Sequence, residues 1–202
     1  METFKIPYQD TQKSSKLVID YLNEDDKLQP FINHFPSLNN LEKQIFEKQN
    51  QPINRKVLVE VLKQQNVDLN LSKKSEKNIE SLLNKDAFTV TAGHQLCLFT
   101  GPLYFLYKII SALNLAEQLQ ERFPKMNFAP VFWMATEDHD FQEINHVHLF
   151  GKEITWDSLQ SGAVGRMNLN EFESALHELK SALGESENAE KLLHLFENAY
   201  LK

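Results

Sequence analysis

Residues 87–134 constrain the fold more than any other part of the sequence. Ala87-Phe88-Thr89-Val90-Thr91-Ala92 is a compact β-branched and aromatic run, the composition of a buried strand. From Pro102 onward, Leu103, Leu106, Tyr107, Ile110, Leu113 and Leu119 recur at helical spacing. Pro102 suits the first turn of that helix, where a missing N–H costs nothing, and Phe123-Pro124 ends it. Phe128-Ala129-Pro130-Val131-Phe132-Trp133-Met134 is a second strand, with Phe132 and Trp133 read as strand core. Pro130 lies near its start, where proline is tolerated. Two strands joined by such a helix form a βαβ unit, expected to be parallel and right-handed. The expected fold class is α/β with a parallel sheet.

Around this unit the chain divides into three expected regions. Residues 1–84 form an N-terminal helical region, 85–150 the first half of the α/β core, and 151–202 a connecting segment of short strands then helices, truncated at its end. In the first region, residues 8–12 read as irregular and Ser14-Ser15 cap a helix carrying Leu17, Val18, Tyr21 and Leu22. Residues 30–36 read as a turn between two prolines. Leu38, Leu41, Ile45 and Phe46 mark a helix, Pro52 opens another, and residues 72–83 a further one. Residues 144–150 and 153–157 are strand candidates around a Gly151-Lys152 turn, and residues 170–183 and 187–200 are helices separated by Gly184.

Composition narrows the classes of function. A formal net charge of -7 argues against a general nucleic-acid binder. No stretch approaches a membrane span, the polar opening METFKIPYQDTQKSSK is unlike a signal peptide, and one cysteine, Cys97, fits a reducing cytoplasm. The expected localisation is cytoplasmic, with small-molecule substrates and neither nucleic acid nor membrane as partner.

The candidate chemistry lies after the two strands, where ligands of open α/β sheets sit. Gly93-His94-Gln95 reads as a glycine turn ending the first strand, and Thr100-Gly101-Pro102 as the opening of the helix, with Thr100 as its cap. His94 is the candidate catalytic residue of this corner, and Gly93, Gln95, Thr100 and Gly101 are candidate substrate- or nucleotide-binding residues. The bland alternative is a strand-ending turn with a solvated histidine. Lys108 either reaches back to the corner or faces solvent.

Four ionisable residues follow the second strand: Glu137, Asp138, His139 and Asp140. Such crowding is costly unless the groups are solvated or bind something. Asp138, His139 and Asp140 are the catalytic candidates and Glu137 a binding candidate, as the wall of a pocket shared with the Gly93 corner. A zinc site would draw on His139, His146 and His148, but there is no HExxH motif and no CxxC pair, so no metal is expected. Cys97 reads as a structural thiol without a base near it. Arg166 is either a carboxylate or phosphate ligand or a surface arginine. The alternatives to a ligand-transforming pocket are a metal-dependent hydrolase using the 137–140 cluster with His146, and a non-catalytic interaction module.

The segments TAGHQLCLFTGPLYFLYKIISALNLA and PVFWMATEDHDFQEINHV, in this order and spacing, resemble the N-terminal part of the BshC family, the cysteine-adding enzymes of bacillithiol biosynthesis. The resemblance covers residues 85–170 well and the N-terminal helices more loosely. It implies a partial Rossmann-like sheet similar to class I aminoacyl-tRNA synthetases and to the cysteine ligase of mycothiol synthesis. It further implies a ligase that joins cysteine to the amine of glucosaminyl-malate through an amide bond, with ATP activating the carboxyl group as an adenylate. By the same resemblance Gly93-His94-Gln95 lines the nucleotide phosphates, Glu137, Asp138, His139 and Asp140 line the facing wall, and the full-length protein is a homodimer with a coiled coil.

Overall fold

The computed structural model describes residues 3–201. Contacts divide the chain into two compact units between Asp86 and Ala87. The first unit is helical: α1 (Tyr8–Thr11), α2 (Lys16–Leu22), α3 (Leu38–Gln49), α4 (Arg55–Gln65) and α5 (Lys73–Ser81). Hydroxyl and amide caps start its longer helices. Ser15, Ser37, Asn54 and Ser72 accept the N–H groups of Val18, Asn40, Val57 and Ser75, which satisfies one otherwise orphaned donor per helix. Arg55 donates from Nη1 to Leu82 O at 3.0 Å and from Nη2 to Lys85 O at 3.2 Å, a cation at carbonyls beyond the C-terminus of α5. Phe35, Ile45, Val59 and Leu82 are its buried apolar residues.

Three local expectations fail in this unit. Residues 8–11 are a short helix rather than irregular, closed by Gln12 at φ 54°. The 30–36 turn begins inside a 3-10 segment, Asp26–Phe31, that contains Pro30. Pro52 precedes α4 instead of opening it, because Asn54 supplies the side-chain cap that proline lacks.

The second unit holds the βαβ element. β1 (Ala87–Gln95) and β2 (Asn127–Ala135) pair in parallel, from Ala87 opposite Asn127 to Gln95 opposite Ala135, and α6 (Leu103–Arg122) joins them. The second unit is thus α/β with a partial Rossmann-like parallel sheet, and the chain carries helices before it. Its continuation is α7 (Phe141–Ile144), the antiparallel hairpin β3 (His146–Leu149) and β4 (Lys152–Thr155), then α8 (Phe172–Leu183) and α9 (Glu187–Tyr200). Ile144 therefore ends a helical turn and does not begin the strand. The hairpin turns on Phe150 and Gly151, at φ 52° and 79°, the two left-handed residues of a tight two-residue loop.

Of the helical stripe expected from Leu103, Leu106, Tyr107, Ile110, Leu113 and Leu119, Leu119 is buried and the rest is exposed. Phe105, Ile109, Ala112 and Ala116 turn inward with Leu119, and the small alanines let the helix approach the sheet closely. Phe105 packs on Phe132 with centroids 5.1 Å apart. Trp133, expected in the core, is 60% exposed. Successive strand residues face opposite sides, so Trp133 shares the side of Thr89 and Thr91, which are exposed as well, rather than that of Phe132. β1 is accordingly only partly buried.

The main core of this unit joins the 98–99 loop to the C-terminal helices. Leu98, Phe99, Ile154, Trp156, Phe172, Ala175, Leu176, Leu179 and Leu193 form one buried cluster. Tyr200 stacks on Phe172 at 4.4 Å and accepts the Phe99 N–H at 3.1 Å. Phe99 sits at φ 45°, a strained conformation held by packing on Phe172, Phe196 and Tyr200. This core anchors the loop after β1.

Candidate functional site

Parallel register brings the carboxyl ends of β1 and β2 side by side, so the loops after Gln95 and Ala135 are neighbours. The two polar clusters meet there. Gln95 Nε2 donates to Asp138 Oδ2 at 3.0 Å and to Glu143 Oε2 at 2.8 Å. Asp138 Oδ1 accepts the backbone N–H of Asp140 at 2.8 Å. That N–H, and then the Gln95 amide, hold the Asp138 carboxyl below the ordinary aspartate range. Asp138 is thus a fixed carboxylate at neutral pH, suited to hold a cation such as a substrate ammonium.

Gly93, His94 and Gln95 lie within β1, not in a turn at a helix start. Glycine at 93 gives room to the neighbouring strand: a Cβ there would stand 3.1 Å from Trp133 O and 3.2 Å from Trp133 Cβ, so Trp133 would have to move aside to accept one. His94 packs against Tyr104 and Phe105, with centroids 5.1 and 5.5 Å away. Its Nδ1 lies 3.2 Å from the Gln95 carbonyl oxygen and 3.5 Å from Cys97 Sγ. A carbonyl only accepts, so Nδ1 carries the proton and the histidine stands beside the cysteine without offering it a free base. Burial, then the Glu143 charge, push the Cys97 thiol up, against a smaller opposing effect of Lys108, so it stays protonated at neutral pH. Lys108 reaches back, donating to Gly93 O at 3.1 Å.

Thr100 does not cap α6. It sits at φ 73° in a 3-10 turn, Leu98–Thr100, and the N-cap position is Pro102 with no side-chain cap. Gly101, at φ 59°, passes so close to Cys97 that a Cβ would lie 2.5 Å from its Cβ. Asp140 accepts the Glu143 N–H at 3.2 Å and so caps α7.

Glu137 and His139 face a different space. An open cleft of 510 Å³ is lined by Thr136, Glu137, His139, Ser161, Gly162, Ala163, Gly165 and Arg166, a volume ordinary for a small-molecule site. The 161–166 loop is stitched to the end of β2 by Val164 N–H to Asp138 O at 2.8 Å and Gly165 N–H to Thr136 O at 2.9 Å. Gly165 makes this approach possible, since a Cβ would stand 2.5 Å from Thr136 Cβ. The single expected pocket is therefore two adjoining parts. One is the Gln95–Asp138–Glu143 tether beside His94; the other is the cleft of Glu137, His139 and Arg166. Glu143, three residues after Asp140, is the addition to the candidate set. Of the two readings of Arg166 the structure favours a ligand position, since it lines the cleft from a 3-10 turn (Val164–Arg166). Of the zinc candidates, His146 and His148 come together, with Glu153 as third member among the described residues, while His139 lines the cleft.

Fold and site together define an α/β domain with a partial Rossmann-like parallel sheet and a polar cleft at the strands' carboxyl ends. A family model described as bacillithiol biosynthesis BshC, N-terminal Rossmann-like domain, matches residues 1–202. Relatives named "Putative cysteine ligase BshC" occur in Flavobacterium psychrophilum, 46% identical over 205 residues, and Flavobacterium johnsoniae, 47% over 204. A third, from Chloroherpeton thalassium, is 30% identical over 218 residues. The alignments cover 100%, 100% and 99% of this chain but 39% of each relative. The chain belongs to the BshC family, in its N-terminal Rossmann-like domain. No helix among the described residues is long and apolar enough to cross a membrane.

Proposed function

We propose that this chain is the N-terminal part of a cytoplasmic ligase that joins cysteine to the amine of glucosaminyl-malate in bacillithiol biosynthesis. The observation that carries the reading is the convergence at the carboxyl ends of β1 and β2. The Gln95–Asp138–Glu143 tether stands beside a cleft that contains Glu137, His139 and Arg166. In this reading the Asp138 carboxylate holds the ammonium group of cysteine. Arg166 takes a carboxylate or one phosphate, for which its planar guanidinium is suited. Glu137 and His139 stand where the proton lost by the attacking amine can be accepted. His94 and the backbone of Gly93 and Gln95 border the same edge, while Thr100 and Gly101 shape the loop. ATP would supply the leaving group that makes the cysteine carboxyl reactive, and Arg166 is the cleft's cation for it. The full-length protein acts as a homodimer through a coiled coil.

The test is cysteine addition to glucosaminyl-malate by the full-length protein with and without nucleotides. Product formation dependent on ATP is expected. Arg166→Ala is expected to lower kcat/KM roughly 10- to 150-fold, the worth of one charge-assisted contact of about 1.5–3 kcal/mol. No product under any nucleotide condition overturns the reading.

A further inference from the structure

The β3–β4 hairpin carries a second cluster that the ligase chemistry does not use. His146 and His148 are two apart on β3 and so face one side, with ring centroids 5.4 Å apart at 83°. Glu153 lies directly across the hairpin from His148, its Oε2 3.1 Å from His148 Nε2. One ligand atom from each of the three residues lies within 4.8 Å of the others. Tetrahedral zinc bonds of about 2.0–2.1 Å place donors roughly 3.3 Å apart, which rotation of the exposed His148 and Glu153 side chains can reach.

One donor is already set in its tautomer. Asn145 Nδ2 donates to the carbonyl of Trp156 at 3.1 Å, which fixes the amide so that Asn145 Oδ1 faces His146 Nδ1 at 3.2 Å. A carbonyl oxygen only accepts, so Nδ1 of His146 carries the proton and Nε2 keeps its lone pair. Trp156 is buried and donates from its own N–H to Asn145 O at 2.8 Å, so the support is part of the core. A metal-bound histidine needs this arrangement behind it. An ordinary cross-strand His–Glu pair needs neither a second histidine nor a preset ring.

We infer that His146, His148 and Glu153 form a binding site for a divalent transition ion of the zinc class, with open positions filled by water. The donor set of two imidazoles and one carboxylate suits zinc and excludes calcium or magnesium, which take oxygen ligands. The site joins the half-buried His146 to the exposed His148 and Glu153 on the hairpin, and its test is independent of the ligase reading.

The experiment titrates Co2+ into the chelator-stripped full-length protein and follows its visible absorption, then displaces it with Zn2+. One equivalent with the intense bands of four-coordinate cobalt is expected. His146→Ala and His148→Ala each abolish that equivalent, Glu153→Gln weakens it, and Asn145→Ala lowers affinity about 10-fold or more while leaving the spectrum unchanged. Circular dichroism of each variant checks folding; His148→Gln, at a 64% exposed side chain, is the substitution least able to disturb it. Absence of the bands, or an unchanged equivalent in folded His148→Gln, overturns the inference.

Discussion

Gln95 Nε2 holds Asp138 Oδ2 at 3.0 Å across 43 residues of sequence, tying the end of β1 to the loop after β2. Because the same nitrogen also reaches Glu143, one amide spaces two carboxylates that would otherwise repel. Asp138 is held low first by the Asp140 N–H and second by Gln95. Gln95→Ala is therefore expected to raise the Asp138 pKa without returning it to the ordinary aspartate value. The sign follows from linkage. A carboxyl lowered by folding adds stability above its unfolded pKa and loses it as pH falls through the folded value, so the tether fails only in acid. Carbon-detected NMR titration of the Asp138 carboxyl checks this; an unchanged titration in Gln95→Ala excludes the tether.

Cys97 is the chain's one thiol, and its neighbours set its reactivity. Burial and the Glu143 charge raise it and Lys108 lowers it, and only the thiolate is nucleophilic. Alkylation by iodoacetamide should be slow at neutral pH and rise only above the ordinary thiol range. At a fixed mildly alkaline pH, Glu143→Gln should speed modification and Lys108→Ala slow it. The opposite order would show that these charges do not act on the thiol.

The hairpin that carries His146 and His148 turns on Phe150, an 83% exposed side chain at φ 52°. A left-handed conformation costs an L-residue roughly 1–2 kcal/mol, and asparagine tolerates it better. Phe150→Asn buries nothing less and builds the favoured Asn-Gly turn, so it should stabilise the protein by about 1 kcal/mol in urea unfolding. A lower midpoint would contradict the turn geometry.

The strands were legible because their causes are local: the 87–92 and 128–134 runs are β-branched and aromatic. Of the caps only the Ser14-Ser15 pair was read. Ser37, Asn54 and Ser72 were not, and Thr100 caps nothing, because a capping side chain counts only where the backbone turns into a helix. The phase of α6 was not legible, because its first turns are apolar on every side and only the sheet selects Phe105 and Ile109 over Leu106 and Ile110. Gly93 misled for a related reason. Glycine serves a turn or a close strand neighbour equally well, and here Trp133 is the cause. At the site, the meeting of Gln95 with Asp138 followed from two polar loops after adjacent strands. The place of Arg166 did not, since it depends on backbone hydrogen bonds from Val164 and Gly165 that leave no trace in side-chain pattern.

Those bonds make Gly165 the most sensitive position of the cleft wall. A Cβ at 165 would lie 2.5 Å from Thr136 Cβ and 2.9 Å from Thr136 O, and the second clash is with backbone that cannot rotate away. Gly165→Ala must move the 161–166 loop off the end of β2, breaking the Gly165–Thr136 hydrogen bond and shifting Arg166. Overpacking of this kind costs about 1–3 kcal/mol. The expected result is a lower denaturation midpoint together with a loss, in the full-length protein, of the proposed ligase activity as large as that of Arg166→Ala. Thr136→Gly removes the first clash but not the second, so the double variant should recover stability only in part. Full recovery would place the constraint in the Thr136 side chain alone, and an unaffected Gly165→Ala would mean that the loop does not sit against β2.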